Sequence, residues 1–143
     1  MSAAVIDSSI ALSWCFEDES SEESDRWFDF VRDKGAVVPA LWHLEVGNVL
    51  LQAERRGRIT AADAKNRLDL ISDLPIAVDT ETMARAWNDI LVLARMEKLT
   101  TYDATYLELA IRKGLPLLTK DGELAEAAAR RGVRRDVDLL RNP

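Results

Sequence analysis

Four acidic residues are spaced so that an alternating strand and helix chain would bring them together. Asp7 directly follows the apolar run 3–6, Glu45 lies in Trp42-His43-Leu44-Glu45-Val46, Asp103 in Thr100-Thr101-Tyr102-Asp103-Ala104, and Asp121 in Leu118-Thr119-Lys120-Asp121. If they meet within ~6 Å, each like-charged pair repels by about 3 kcal/mol at an effective dielectric of roughly 20. A fold keeps such a cluster either by protonating some members or by binding divalent cations. The set is all oxygen, and the chain has one histidine and one cysteine. It therefore suits Mg²⁺ or Mn²⁺ rather than zinc. Two such ions ~4 Å apart stabilise the attacking and leaving oxygens of an in-line phosphodiester displacement. The chemistry indicated is metal-dependent phosphoryl chemistry, with a nuclease as its expected form.

Each acid is also weighed against a local structural role. Thr100 and Asp103 have the spacing of a capping box, and Asp121 has the placement of a helix N-cap. Asp7 could cap a short helix beginning at Ser9, although Ser8 and Ser9 already offer hydroxyls there. Glu45 has no such role. Its neighbours one turn away are Leu41, Trp42, Asn48 and Val49, a largely apolar face on which an unpaired carboxylate is costly.

Positioning these acids falls to short strands and amphipathic helices. The apolar runs 3–6, 36–38, 76–78 and 115–118 are too short for helices and read as buried parallel strands, with a fifth expected near 133–137. Ser20 and Glu23 have capping-box spacing, and the helix they open should bury Trp27, Phe28 and Val31 before Gly35 stops it. Further helices are expected over 41–56, from Thr60 to Ser72, from Thr80 to Met96, from Thr100 to Lys113 and from Asp121, with Gly57, Gly114 and Gly132 as stops. This alternation predicts one domain over 1–143. Its fold class is α/β, a three-layer sandwich with a mainly parallel sheet of 4–5 strands flanked by helices. Helices of right-handed βαβ units begin where strands end, so all four acids are expected at one edge, where open α/β sheets bind ligands.

Composition bounds the partners. The 143 residues include 25 acids and 19 bases, for a net charge of -6. Residues 17–25 alone hold six acids and no base, and the remainder is balanced at 19 of each. Acidity therefore does not exclude nucleic acid. Arg55, Arg56 and Arg58, and then Arg130, Arg131, Arg134 and Arg135, are clusters that either close helices or grip phosphate. The lone Cys15 rules out an intramolecular disulfide and reads as a buried apolar residue. The longest uncharged stretch near the start, 8–16, is too short for a membrane span, and a cytoplasmic protein with no membrane partner is expected.

Val5-Ile6-Asp7-Ser8-Ser9, the Glu45 run, Thr100 to Ala104 with its Asp-Ala-x-Tyr-Leu continuation to Leu107, and Leu118 to Asp121 together resemble the PIN-domain ribonucleases. Within them the pattern looks most like the VapC-type toxins, and the resemblance spans essentially the whole chain. It implies an acidic site of Asp7, Glu45, Asp103 and Asp121, with Asp7, Asp103 and Asp121 as metal ligands. Ser8 and Thr119 would orient carboxylates or water, and Glu123 falls where some relatives carry a further acid. The resemblance also implies Mg²⁺- or Mn²⁺-dependent RNA cleavage, a homodimer, and neutralisation by a cognate VapB-type antitoxin. Trp14, Phe16, Trp27, Phe28 and Phe30 either belong to the core or line a groove for that antitoxin, and His43 reads as structural. Two other functions stay open. One is a phosphoacceptor signalling domain using Asp79 and Lys120, and the other is a non-catalytic PIN-fold binding protein.

Overall fold

Strands β1 (Val5–Ile6), β2 (Ala36–Pro39), β3 (Ile76–Asp79) and β4 (Leu117–Leu118) pair in parallel, in the order β3-β2-β1-β4. They form the sheet of the computed structural model, which describes residues 2–135. Every residue of β1, β2 and β4 is buried, as expected of uninterrupted apolar strands covered on both faces. β3 is the edge strand, and its Ala77 and Val78 are exposed.

The covering helices are α1 (Ser8–Cys15), α2 (Glu22–Lys34), α3 (Leu41–Arg55), α4 (Ala61–Ser72), α5 (Thr82–Arg85), α6 (Leu91–Glu97), α7 (Thr101–Lys113) and α8 (Gly122–Arg130). A 3₁₀ turn at Glu17–Glu19 follows α1, and a π segment at Ala86–Ile90 joins α5 to α6. Helix α7 packs across β1, β2 and β4, and α1 packs on α2, α3 and α4. The main hydrophobic core runs from Ala4 to Ala128, with Trp27, Trp42, Tyr106 and Leu107 in it, and Ile90, Ala94 and Ala104 form a small second cluster. The α/β sandwich expected from the alternation is the fold observed.

The strand order decides where a ligand can sit. The chain steps outward from β1 to β2 to β3, then returns to place β4 on the other side of β1. The crevice of such a sheet opens at this reversal, between the carboxyl ends of β1 and β4. Asp7 follows β1 and Asp121 follows β4 closely.

Helix ends mostly fall where caps and glycines put them. Gly35 stops α2 at φ 80°, and Gly114 stops α7 in the left-handed region at φ 65°. Three expectations shift. The box that opens α2 is Ser21 with Ser24 rather than Ser20 with Glu23, because the Ser20 hydroxyl donates to the Glu17 carbonyl of the preceding turn at 2.8 Å. The helix expected from Thr80 starts at Thr82, whose hydroxyl donates to Asp79 at 2.7 Å. Residues 133–135 form no strand, although the Leu117 amide donates to the Arg134 carbonyl at 2.9 Å and keeps that segment beside β4. The rest of the expected fifth strand lies outside the described residues. Among the described residues no helix is long and apolar enough to cross a membrane.

Candidate active site

Sheet register accounts for the first contact. Ile6 pairs with Leu118, so Asp7 and Thr119 leave the sheet side by side, and the Thr119 hydroxyl donates to one oxygen of the Asp7 carboxylate. Ser9 Oγ donates to the other at 2.5 Å and accepts from the Lys120 amide at 2.8 Å. Thr119 Oγ1 also accepts from the Asp121 amide at 3.0 Å. Two hydroxyls thus fix Asp7 and tie α1 to the loop between β4 and α8. Of the two hydroxyls the resemblance singles out, Thr119 meets the Asp7 carboxylate, whereas the hydroxyl that meets it from α1 is that of Ser9 and not Ser8. Asp7 is the N-cap of α1, and a residue there faces the second and third helical positions rather than the first. Ser9 is therefore the partner, and Ser8 makes no side-chain hydrogen bond among the described residues. Asp7 is buried, 5% exposed, and that burial pushes its pKa up against the opposing pull of Ser9, Thr119 and the amides at the start of α1.

Asp103 stands in the first turn of α7, and its helix opening can be compared with that of α4. At α4 the Thr60 hydroxyl accepts from the Asp63 amide at 3.0 Å and the Asp63 carboxylate accepts from the Thr60 amide at 3.1 Å, so the box is closed. At α7 the Thr100 hydroxyl accepts from the Asp103 amide at 3.1 Å, but no return bond to the carboxylate exists among the described residues. The expected capping box is only half made. The half-buried Asp103 carboxylate has a raised pKa, through desolvation first and then through the charges of Asp121, Asp7 and Glu123. Local capping does not use this side chain; its neighbours are other acids.

Asp121 does cap its helix, accepting from the Leu124 amide through Oδ1 at 3.0 Å. Its second oxygen makes no hydrogen bond among the described residues. Glu45 is half-buried on α3, where burial raises its pKa, the Tyr106 hydroxyl that donates to its Oε1 opposes the shift, and the charge of Asp103 adds to it. Asp103 thus lies within electrostatic reach of Asp7, Asp121 and Glu45. Glu123, in the first turn of α8, joins this field. Sequence reasoning missed Ser9 and Tyr106. The signal for Tyr106 was present, since it stands three residues after Asp103 and so shares that side of the helix.

Among the described residues no three acidic, histidine or cysteine side chains close into a ready-made metal cage. The donor chemistry nevertheless fits one kind of cation. Three carboxylates with raised proton affinity and only oxygen donors make a site that opposes its own charge. A hard, well-hydrated ion such as Mg²⁺ needs only one or two protein carboxylates and keeps its waters. His43 is exposed and packs edge-on against Trp42, with ring centroids 4.9 Å apart.

Groups outside the cluster are otherwise engaged. Asp79 accepts from Arg112 Nη1 at 3.0 Å and Nη2 at 2.9 Å, and the guanidinium holds its pKa down at about 2. Both oxygens of this buried carboxylate are committed to an ion pair, which removes the support for Asp79 as a phosphoacceptor. Arg130 and Arg131 both grip Glu97, at 2.8 and 2.7 Å, closing α8 onto the end of α6. Phe16 and Trp27 are core residues, and Trp14 meets Phe28 edge-on at 5.4 Å. Beside that pair, a groove of about 300 Å³ is lined by Leu70, Asp25 and Asp29.

Comparison with known proteins follows the same lines. The family model for the PIN domain matches residues 4–130. Ribonuclease VapC3 of Pyrobaculum aerophilum is 31% identical over 122 residues, covering 85% of this chain and 92% of that protein. Exonuclease VapC9 of the same organism is 34% identical over 101 residues, 70% of this chain and 71% of the other. Ribonuclease VapC3 of Mycobacterium tuberculosis is 34% identical over 92 residues, 63% of each chain. The crystal structure of PAE2754 from Pyrobaculum aerophilum superposes with a TM-score of 0.70 at 24% identity, covering 97% of this chain and 92% of that one, which is a likeness of fold.

Proposed function

The chain belongs to the PIN-domain family, among its VapC-type ribonucleases, and from that premise we propose that it is a Mg²⁺- or Mn²⁺-dependent endoribonuclease acting as a toxin. The observation that carries this reading is the half-made cap at Asp103. The same Thr-x-x-Asp spacing closes fully at Asp63, yet at Asp103 it leaves the carboxylate to Asp7, Asp121 and Glu123.

Asp7, Asp103 and the free oxygen of Asp121 are the groups that would hold the cation. When bound, a divalent ion supplies charge neutralisation at a scissile phosphate and Lewis-acid activation of water. The chain's own residues supply orientation. Ser9 and Thr119 hold Asp7 through both carboxylate oxygens, and the β1–β4 register keeps Thr119, whose hydroxyl also accepts from the Asp121 amide, beside it. Glu45 has one oxygen on Tyr106, and the other would add its charge to the cation site by positioning a ligand or water there. Single-stranded or looped RNA is the substrate class, because its bases are accessible, and phosphate contacts make its binding salt-sensitive. Lys120, next in the chain to Thr119, is one cation near the acids, with its ammonium 4.0 Å from Glu19.

The protein would act as a homodimer, neutralised by a VapB-type antitoxin. The groove at Trp14 and Phe28, with Asp25 and Asp29 on its rim, suits an apolar segment bearing bases. The test is purified protein on bulk RNA with Mg²⁺, with EDTA, and with an Asp7→Asn control, followed by sequencing of RNA ends after induction in cells. Cleavage that needs the ion and Asp7 is expected. An intact RNA pool under all three conditions would leave a non-catalytic PIN-fold binding protein as the better description.

A further inference from the structure

Tyr106 is among the largest side chains of the interior, 1% exposed, on the buried face of α7. A phenylalanine would fill the same space. The difference is one hydroxyl, and burying a hydroxyl is unfavourable unless it is paired. Its one hydrogen bond among the described residues runs to Glu45 on α3, 61 positions away in sequence. The influences on Glu45 are burial, this hydroxyl and the charge of Asp103, with no lysine or arginine among them.

The acids of the cluster differ in how they are held. Asp7 has Ser9 and Thr119, and Asp121 has the Leu124 amide. Glu45 has the longer stem and the greater rotamer freedom to lose, on a helix face where Trp42 and Val46 are buried. Without a donor, its carboxylate would gain hydration by swinging outward, away from Asp103. Tyr106 is anchored in the same helix as Asp103, so a bond from Tyr106 ties the α3 acid to the α7 acid.

We propose that Tyr106 is a positioning residue: its buried phenol holds the Glu45 carboxylate against the acid cluster, and the site loses its fourth acid when that oxygen is removed. The consequence for turnover rests on the nuclease function proposed above, whereas the consequence for cation binding does not.

The experiment is a double-mutant cycle of Tyr106→Phe, Glu45→Gln and the pair. It is read as the Mn²⁺ dissociation constant without RNA, as kcat and KM on RNA, and as the urea midpoint of the metal-free proteins. Tyr106→Phe should weaken Mn²⁺ binding and lower kcat, each by roughly 10- to 100-fold, the range of a lost hydrogen bond to a charged group. KM should stay within about twofold, because the hydroxyl is buried and spent on Glu45. On the Glu45→Gln background the same change should alter neither quantity, since its partner is already lost. A Tyr106→Phe protein that lowers only the urea midpoint, with Mn²⁺ binding and kcat unchanged, would make Tyr106 an ordinary core residue and overturn the proposal. Independent, additive losses in the double variant would overturn it too. If the parent binds Mn²⁺ but cuts no RNA, the nuclease function fails while the cycle in Mn²⁺ affinity still decides the tyrosine.

Discussion

Asp7 and Asp79 are both buried aspartates at the carboxyl ends of strands, and their pKa values move in opposite directions. Asp79 faces the Arg112 guanidinium and is held at about 2, whereas Asp7 has only neutral hydroxyls and amides to offset its burial and is pushed up. The folded pKa of Asp79 lies below its ordinary 3.8, so its stabilising contribution is full above that value and is lost as pH falls through about 2. The shift corresponds to about 2 kcal/mol. Asp79→Asn should therefore lower the urea-unfolding free energy by about that much at pH 7, with the gap to the parent closing as pH is lowered towards 2. For Asp7 the sign reverses: its contribution is favourable below the ordinary carboxylate pKa and is lost as pH rises through the raised one. Asp7→Asn, measured in EDTA, should then be as stable as the parent or more so, while RNA cleavage falls by roughly 100-fold or more. A marked loss of stability in that variant would recast Asp7 as a structural cap.

Two helices open with the same Thr-x-x-Asp spacing, and the comparison separates capping from chemistry. Thr60 and Thr100 each accept a hydrogen bond from the amide three residues on, so alanine at either should cost about 1 kcal/mol. The aspartates should part company. Asp63→Asn removes the return bond of a closed box and should destabilise the protein, whereas Asp103→Asn relieves repulsion from Asp121, Asp7 and Glu123 and should not. Urea unfolding of the two variants in EDTA checks this, and equal destabilisation would place Asp103 with the caps. Helix positions were largely legible because caps, glycine stops and apolar periodicity are local. The π segment Ala86–Ile90 was not legible, and neither was the start at Thr82, whose hydroxyl bonds to a strand-end carboxylate that itself depends on Arg112 of a distant helix.

At the scale of the molecule, the fold brings acids from distant parts of the chain within electrostatic reach of Asp103. A cation bound there stabilises only the folded state, because the unfolded chain separates its ligands. At a hundredfold excess of Mg²⁺ or Mn²⁺ over the dissociation constant the gain is about 2.7 kcal/mol, or roughly 5–10 °C in Tm for a chain of this length. Calorimetry should show that rise for the parent and its loss in Asp103→Asn; a parent Tm indifferent to both ions would remove the metal from the mechanism. The charge excess in 17–25 is partly answered at this scale as well. Asp18 meets Arg58 at 3.5 Å and Glu19 lies 4.0 Å from the Lys120 ammonium, so distant bases temper the acidic stretch beside the crevice.

The amino-acid sequence by itself determined the alternation of strands and helices, the choice of four candidate acids and the oxygen-only character of that candidate set. Those properties follow from periodicity, local capping chemistry and side-chain type, none of which needs a partner far along the chain. Only the tertiary structure decided that Ser9 rather than Ser8 holds Asp7, that Asp79 is bound to Arg112, and that the Tyr106 phenol meets Glu45. Each of these depends on strand register, on the turn at which a side chain leaves its helix, or on two helices packing together. A hydrogen bond between residues 61 positions apart has no signature until packing brings its two ends within reach.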